Sequence, residues 1–567
     1  MLVAHFVRRS LIAFGAAVAL GCSPQRMDTR PVVQPPLVTL LVVNARVWTG
    51  DPRRPWADAV AVRGERLELV GSSAEVRKLD AMPGARVIDA GGAMLVPGFI
   101  DTHVHLIDGG FRLASVQLRD ARSPAEFTRR IRDFAATVPA GTWITGGDWD
   151  HTLWGGALPE RAWVDSVSPD HPVWVSRLDG HMALANTAAL KAAGLLTSRV
   201  ADVQGGSIAR DARGEPAGVF RDNAMALVDR VVPDPPAMLA DRALDAALAY
   251  VAERGITSLH HMGGWGDLAV LERAHVASRL TARVYAALPL ASWERLRDTI
   301  AARGRGDNML RIGGLKGYVD GSLGSHTALM LEAYSDAPAD LGLQVTPTAD
   351  LLRWSIGADA AGLQLMVHAI GDRANQVQLD IFEQVARTNP ARDRRHRIEH
   401  AQHLDPNDIP RFGRLGVIPS MQPYHAIDDG RWATRVIGYE RAKGAYAFQS
   451  LLATGARLAF GSDWFVAPPA PLEGIYAAVT RRTLDGANPN GWVPDQKITV
   501  EEALRAYTLN GAWASFEEGQ KGSLERGKLA DFVLLDRDIT RVPVDSLRDA
   551  RVMITVVGGR IVYERPR

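Results

Sequence analysis

The sequence predicts an α/β protein: a (β/α)8, TIM-like barrel joined to a discontinuous β-sandwich built from the N- and C-terminal segments. Three observations predict it. Short apolar runs alternate with amphipathic helical stretches through the middle of the chain, the pattern of a parallel sheet. Each of those runs stops at polar residues, as barrel strands do where their loops begin. The same short-strand texture, punctuated by Gly, Pro, Asn and Asp, appears near both ends of the 567 residues.

The elements follow in order. "MLVAHFVRRSLIAFGAAVALGC" has Arg8 and Arg9, an apolar run from Leu11 to Leu20, then Gly21-Cys22. That is a signal peptide over residues 1–22, outside the fold. Cys22 is the only cysteine, so no disulfide forms within the chain. "ALGC" resembles a bacterial lipobox, with Ala19 where leucine is usual, and "RRSLI" resembles a twin-arginine export signal. The alternative is plain secretion with an incidental cysteine. The expected location is the periplasm or cell envelope, with a lipid anchor at Cys22 as the single membrane attachment. Residues 23–37 read as a proline-rich tether.

Residues 38–95 hold β-rich runs such as "TLLVVNARVWTG" and "DAVAVRGERLELVG". Residues 515–567 hold "GKLADFVLLDRD" and "VMITVVGGRIVYE". These are the two parts of the expected sandwich domain. Residues 96–514 form the expected barrel. Its strand candidates begin with "AMLVPGFIDTHVH", read as one run, and continue through "GITSLHHM", "TARVYAAL", "MLRIGGLKGYVDG", "LQLMVHAIGD", "RHRIEHAQ", "GVIPSMQP" and "RLAFGSDW". Residues 111–232 break the alternation and read as an insertion after the first barrel strand.

Charge narrows the partners. With 65 basic and 64 acidic residues the net charge is +1, which supports neither a nucleic acid nor a basic membrane patch. No Walker-type glycine loop is present. A small-molecule substrate is the expected partner.

Active sites of such barrels lie where strands end, so polar residues closing the apolar runs are candidates to converge. His103 and His105 are two apart and share a strand face. Lys316, His368, His400 and Asp463 close four further runs. Imidazole and carboxylate suit zinc and similar divalent ions. An ammonium does not, but burial lowers a lysine's pKa, and a neutral amine adds carbon dioxide to become a carbamate able to bridge two ions. Otherwise Lys316 binds a substrate carboxylate or ion-pairs with Asp320.

"PGFIDTHVHL", "LKGYVDGSLGSHTA", "VHAIGDRA", "RIEHAQ" and "FGSDW", with "DGHMALANTAAL" and "KGSLERGKLADFVLLD", resemble segments of the metal-dependent amidohydrolase superfamily, amidohydrolase-3 (YtcJ-like) branch, over residues 38–567. The resemblance implies a two-ion site: His103, His105 and Asp463 on one ion, His368 and His400 on the other, carbamylated Lys316 between them. It implies attack by metal-activated hydroxide on a small amide, cyclic amide or N-acyl compound, with Asp463 as general base and then acid. Alternatives are a mononuclear hydrolase or deaminase with Lys316 binding substrate, and a non-catalytic lipoprotein scaffold. Many relatives read "HDMG" where this chain has "HHMGG", so His261 replaces an aspartate. Glu399 either orients an imidazole or pairs with Arg397. His181 is a candidate to face the substrate from the insertion. His171, His275, His396, His403 and His425 read as surface or hydrogen-bonded core residues. Trp149, Trp154, Tyr424, Trp432, Trp464 and Phe465 would either give the pocket an apolar or aromatic lining or simply pack the loops.

Overall fold

A computed structural model describes residues 37–79, 83–197 and 200–566. The expected signal peptide with Cys22 and the expected tether up to residue 36 lie outside the described residues. Among the described residues, no helix is long and apolar enough to cross a membrane.

The barrel strands are β1 (Phe99–Val104), β2 (Ile256–Met262), β3 (Arg283–Pro289), β4 (Leu310–Tyr318), β5 (Gln364–Ala369), β6 (Arg397–His400), β7 (Ile418–Met421) and β8 (Ala459–Phe460). They pair in parallel in sequence order. β1, β2, β5, β6 and β7 are buried at every position, which is why they read as unbroken apolar runs and not as alternating ones. The barrel closes through a parallel bridge between Val104 and Trp464. There the Asp463 N–H donates to the His103 carbonyl at 2.7 Å and the His105 N–H to the Trp464 carbonyl at 2.7 Å. Closure therefore sets Asp463 beside the two histidines of β1.

The two ends of the chain meet in the sandwich. One sheet orders Arg66–Gly71, Ala59–Arg63, Val38–Val43 and Arg86–Asp89. The other places Phe532–Leu535 between Met94–Pro97 and Val552–Val557. Leu40, Val42, Val60 and Val62 pack against Leu95, Phe532, Leu534 and Val556 in one core. Arg283 of β3 ties barrel to sandwich through paired bonds to Asp531 at 2.7 and 2.9 Å.

One expectation is corrected here. "AMLVPGFIDTHVH" is not a single strand: Met94–Pro97 belongs to the sandwich and Phe99–Val104 to the barrel. The chain changes sheets at Gly98, where a Cβ would lie 2.1 Å from Thr257 Oγ1. Only glycine passes so close to β2.

The segment after β1 builds a six-stranded sheet of its own, from Val116–Gln117 to Pro216–Asp222. It is packed on one face by Leu118, Phe127, Ile131 and Trp149 and on the other by Trp174, Leu190 and Phe220. Its strand ends deliver Asp150, Arg177, Asp179, His181 and Asp222 to the barrel mouth.

Candidate metal centre

The site begins with Asp101, two residues before His103. Its Oδ1 accepts from the His103 N–H at 3.2 Å and the Ser462 N–H at 2.9 Å, and its Oδ2 from the Ser462 hydroxyl at 2.5 Å. Ser462 Oγ in turn accepts from the Trp464 N–H at 3.0 Å. Asp101 thereby locks the turn after β8 to β1. Burial pushes its carboxyl up to about 7. Gly461 completes the lock, since a Cβ there would meet the His103 nitrogen at 2.5 Å. Asp463 follows in the left-handed region, φ +58°, a conformation aspartate tolerates better than most residues.

The six residues at strand ends form one continuous cluster. Asp463 Oδ1 lies 3.3 Å from His103 Nε2 and 3.4 Å from His105 Nε2. Asp463 Oδ2 lies 4.0 Å from His400 Nδ1. Lys316 Nζ is 3.1 Å from His103 Nε2. The His368 ring stands 4.5 Å from that of His400, centroid to centroid. Among the described residues, His103, His400 and Asp463 form the one set whose donor atoms all lie within 4.8 Å of one another.

The electrostatics fit a cation. Burial, followed by the charges of neighbouring groups, Lys316 among them, holds His103, His368 and His400 well below the usual imidazole range. Neutral imidazoles beside a carboxylate present lone pairs, the donor chemistry of a zinc-type site. Burial also pushes Lys316 down to about 8, within reach of the free amine that carbamylation needs. Lys316 does not pair with Asp320, whose carboxylate accepts from the N–H groups of Leu329 (2.8 Å), Ile370 (3.0 Å) and Gly371 (2.8 Å).

A shell of hydrogen bonds aims the imidazoles. Glu399 Oε2 accepts from His103 Nδ1 at 2.6 Å, and the same carboxylate contacts Arg397 at 2.7 and 3.0 Å, so it both orients the histidine and pairs with the arginine. Both residues are 0% exposed. Gln422 Oε1, just past β7, holds His400 Nδ1 at 2.8 Å. His261 stays out of the cluster: its Nδ1 accepts from the Leu106 N–H at 3.1 Å, securing the helix that follows His105.

The cleft over the cluster has two lobes, both bordered by Asp179, His181, His368, His400 and Asp463. His181 bonds Asp222 through Nδ1 at 2.6 Å, and its ring lies 5.0 Å from that of His368. Burial, the largest influence, would lower its pKa, but the carboxylates of Asp222, Asp179 and Asp320 together outweigh burial and raise it. Of the six aromatics, Trp432 borders the inner lobe and Phe465 the outer. The others pack: Trp149 is fully buried with its indole N–H on the Val175 carbonyl, Trp464 stacks on Tyr250 at 5.1 Å, Trp154 lies against Phe127 at 5.6 Å, and Tyr424 lines neither lobe. The inner lobe is instead polar, with Asp150, Arg177, Asp429 and Arg431 in its wall.

His425 also borders that lobe. The sequence places it with the surface and core histidines, yet it is 91% buried and its Nε2 has no hydrogen-bond partner among the described residues. Its position just past the end of β7, where the loops of a barrel line the site, was the available signal.

The model of the amidohydrolase family matches residues 86–563. The chain is 41% identical over 539 residues to protein LONG AFTER FAR-RED 3 of Arabidopsis thaliana, covering 92% of this chain and 91% of that protein. It is 30% identical over 554 residues to the N-substituted formamide deformylase of Arthrobacter pascens, covering 93% and 98%. Among solved structures, an uncharacterized metal-dependent hydrolase from Pyrococcus horikoshii OT3 aligns with a TM-score of 0.73 at 27% identity, covering 89% of this chain and 99% of that one. The chain belongs to the amidohydrolase family.

Proposed function

We propose that the protein is an exported, metal-dependent hydrolase that cleaves a non-peptide carbon–nitrogen bond in a small amide, cyclic amide or N-acyl compound. The observation that carries this is Asp463 within 3.4 Å of two imidazoles, at the end of a barrel where three further strands bring up Lys316, His368 and His400. The relative named N-substituted formamide deformylase supports the choice of an N-acyl substrate.

His103, His105, Lys316, His368, His400 and Asp463 would hold the metal, zinc or a similar divalent ion, with two ions if Lys316 is carbamylated. Such an ion, when bound, supplies Lewis acidity and lowers the pKa of water from ~15.7 towards ~7. Asp463 takes the proton of the attacking water at a carboxylate oxygen and returns it to the leaving nitrogen. Glu399 keeps His103 Nδ1 protonated, so that Nε2 carries the lone pair. The insertion brings His181 and Asp179 to the mouth, where they border both lobes beside His368, His400 and Asp463.

The test is elemental analysis of the soluble form beginning after Cys22, followed by turnover of an amide panel. His103→Ala and Asp463→Asn should each lower kcat by about a thousandfold or more with the fold intact. Full activity in both would refute the assignment. Residues 1–22 direct export in this reading. A reporter fusion of residues 1–30 with Arg8 and Arg9 changed to Lys tests the twin-arginine route, and unchanged export would remove it.

A further inference from the structure

The two lobes of the cleft differ in size and chemistry. The outer lobe, about 410 Å³, is bordered by Tyr318, Phe465, Val345 and Met225 together with Asp108 and Asp229. The inner lobe encloses about 50 Å³, several times the ~10–15 Å³ that one water needs but too little for a bulky group.

The positive charges of the inner wall are already matched. Arg177 lies 2.6 Å from Asp179 and 3.5 Å from Asp150. Arg431 pairs with Asp428 and lies 3.4 Å from Asp150. Asp429 is different. Among the described residues its partners are the Tyr446 hydroxyl at 2.5 Å and the Gln402 amide at 3.0 Å, both neutral and both on Oδ2. Oδ1 is left to the cavity.

Gln402 extends the pattern. A carboxylate accepts only, so the bond to Asp429 fixes which end of the amide is Nε2. The opposite atom, Oε1, belongs to a side chain 97% buried that borders the lobe, and it has no donor among the described residues. His425, 91% buried in the same wall, leaves its Nε2 unpartnered as well. The lobe thus offers acceptors on Asp429 Oδ1 and Gln402 Oε1, and the nearest cations, Arg177 and Arg431, are paired with Asp179, Asp150 and Asp428 and reach Asp429 only through their longer-range charge. Buried acceptors without donors are costly unless a ligand completes them.

We propose that the inner lobe is a subsite for a small cationic nitrogen group of the substrate, an ammonium or amidinium, with Asp429 as counter-ion and Gln402 Oε1 and His425 as hydrogen-bond acceptors. This rests on the amide-hydrolase reading and makes the substrate an amide with a basic nitrogen at its smaller end. The Asp429 carboxyl agrees: burial pushes it up to about 7, with the nearby Asp428 adding to the rise, and a bound cation would relieve both.

The experiment has a binding arm and a turnover arm. Methylammonium, acetamide and acetate are each titrated into the metal-loaded protein and followed by ligand-observed NMR. Methylammonium should bind about tenfold or more tighter than acetamide, acetate should bind only through the metal and not weaken in Asp429→Asn, and Asp429→Asn should remove about tenfold of the methylammonium advantage. His425→Phe breaks no hydrogen bond within the protein and should also weaken methylammonium binding, which keeps the test alive where Asp429→Asn fails to fold. Equal binding of methylammonium and acetamide, or binding undiminished in both variants, would overturn the subsite. In turnover, N-acyl compounds ending in an ammonium should exceed their methyl-ended counterparts in kcat/KM by about tenfold. Methylammonium binding without any amide turnover supports the subsite and refutes the reaction. Turnover without ammonium preference refutes the subsite and leaves the reaction standing.

Discussion

Replacing Glu399 with Gln separates the two jobs that this carboxylate performs at once. It accepts from His103 Nδ1 at 2.6 Å and pairs with Arg397 at 2.7 and 3.0 Å, with neither Glu399 nor Arg397 exposed at all. Glutamine keeps the shape and one oxygen but removes the charge. For the imidazole, loss of such a partner weakens metal affinity by about 10- to 100-fold, or roughly 1.4–2.7 kcal/mol. For the arginine, an uncompensated buried charge costs about 3–5 kcal/mol of stability. Its other contacts, to His260 Nδ1 at 2.7 Å and Ser420 Oγ at 2.7 Å, are too weak to neutralise it. Both quantities are measurable on one sample: zinc affinity by competition against a chelator, and stability by urea unfolding of the metal-free form. Adding Arg397→Met then removes the orphaned charge, so stability should partly return while metal affinity stays low. A double variant that regains full metal affinity would show that Glu399 acts only as the arginine's partner. Metal affinity within about twofold of wild type in Glu399→Gln would refute the orienting role outright.

Three further outcomes are expected. Gly461→Ala forces a Cβ to within 2.5 Å of the His103 backbone nitrogen and 2.9 Å of Asp101 Oδ1, so β1 and the Asp463 turn must separate; metal content by elemental analysis should fall even where circular dichroism shows a folded chain. Lys316→Arg cannot form a carbamate and should lower the metal content from near two ions per chain to about one, abolishing any dependence of activity on bicarbonate; retention of two ions would exclude the bridging role. Burial holds His403 at about 3, below its ordinary value, so the unfolded chain binds the extra proton between pH 6.5 and 3. Its contribution is fully present above pH 6.5 and is lost as pH falls to 3, up to roughly 5 kcal/mol. His403→Gln should flatten urea midpoints across that window relative to wild type, and parallel curves would contradict it.

The barrel and the convergence of its strand-end residues were legible because parallel strands buried on both faces must be apolar until they reach the mouth. The residue that ends the run is then conspicuous, as His368 is after "LQLMV" and Asp463 is after "RLAFGS". The same logic fails inside a run. Nothing apolar marks the change of sheet at Gly98, and a barrel strand and a sandwich strand read as one. It fails again for aromatics, whose residue type says nothing of direction: Trp464 and Phe465 are neighbours, yet one stacks inward on Tyr250 and the other borders the cleft. The inner wall was the least legible part, because Gln402, His425 and Asp429 are set by the helix from Pro423 to Asp429 and the turn after β6, not by strand ends. These residues contribute no donor to the cluster of His103, His400 and Asp463. A wall held on separate elements from the ligands lets substrate preference change while the metal donors stay fixed. Chemistry is therefore read from the ends of the strands, and selectivity from the loops and helices that face them.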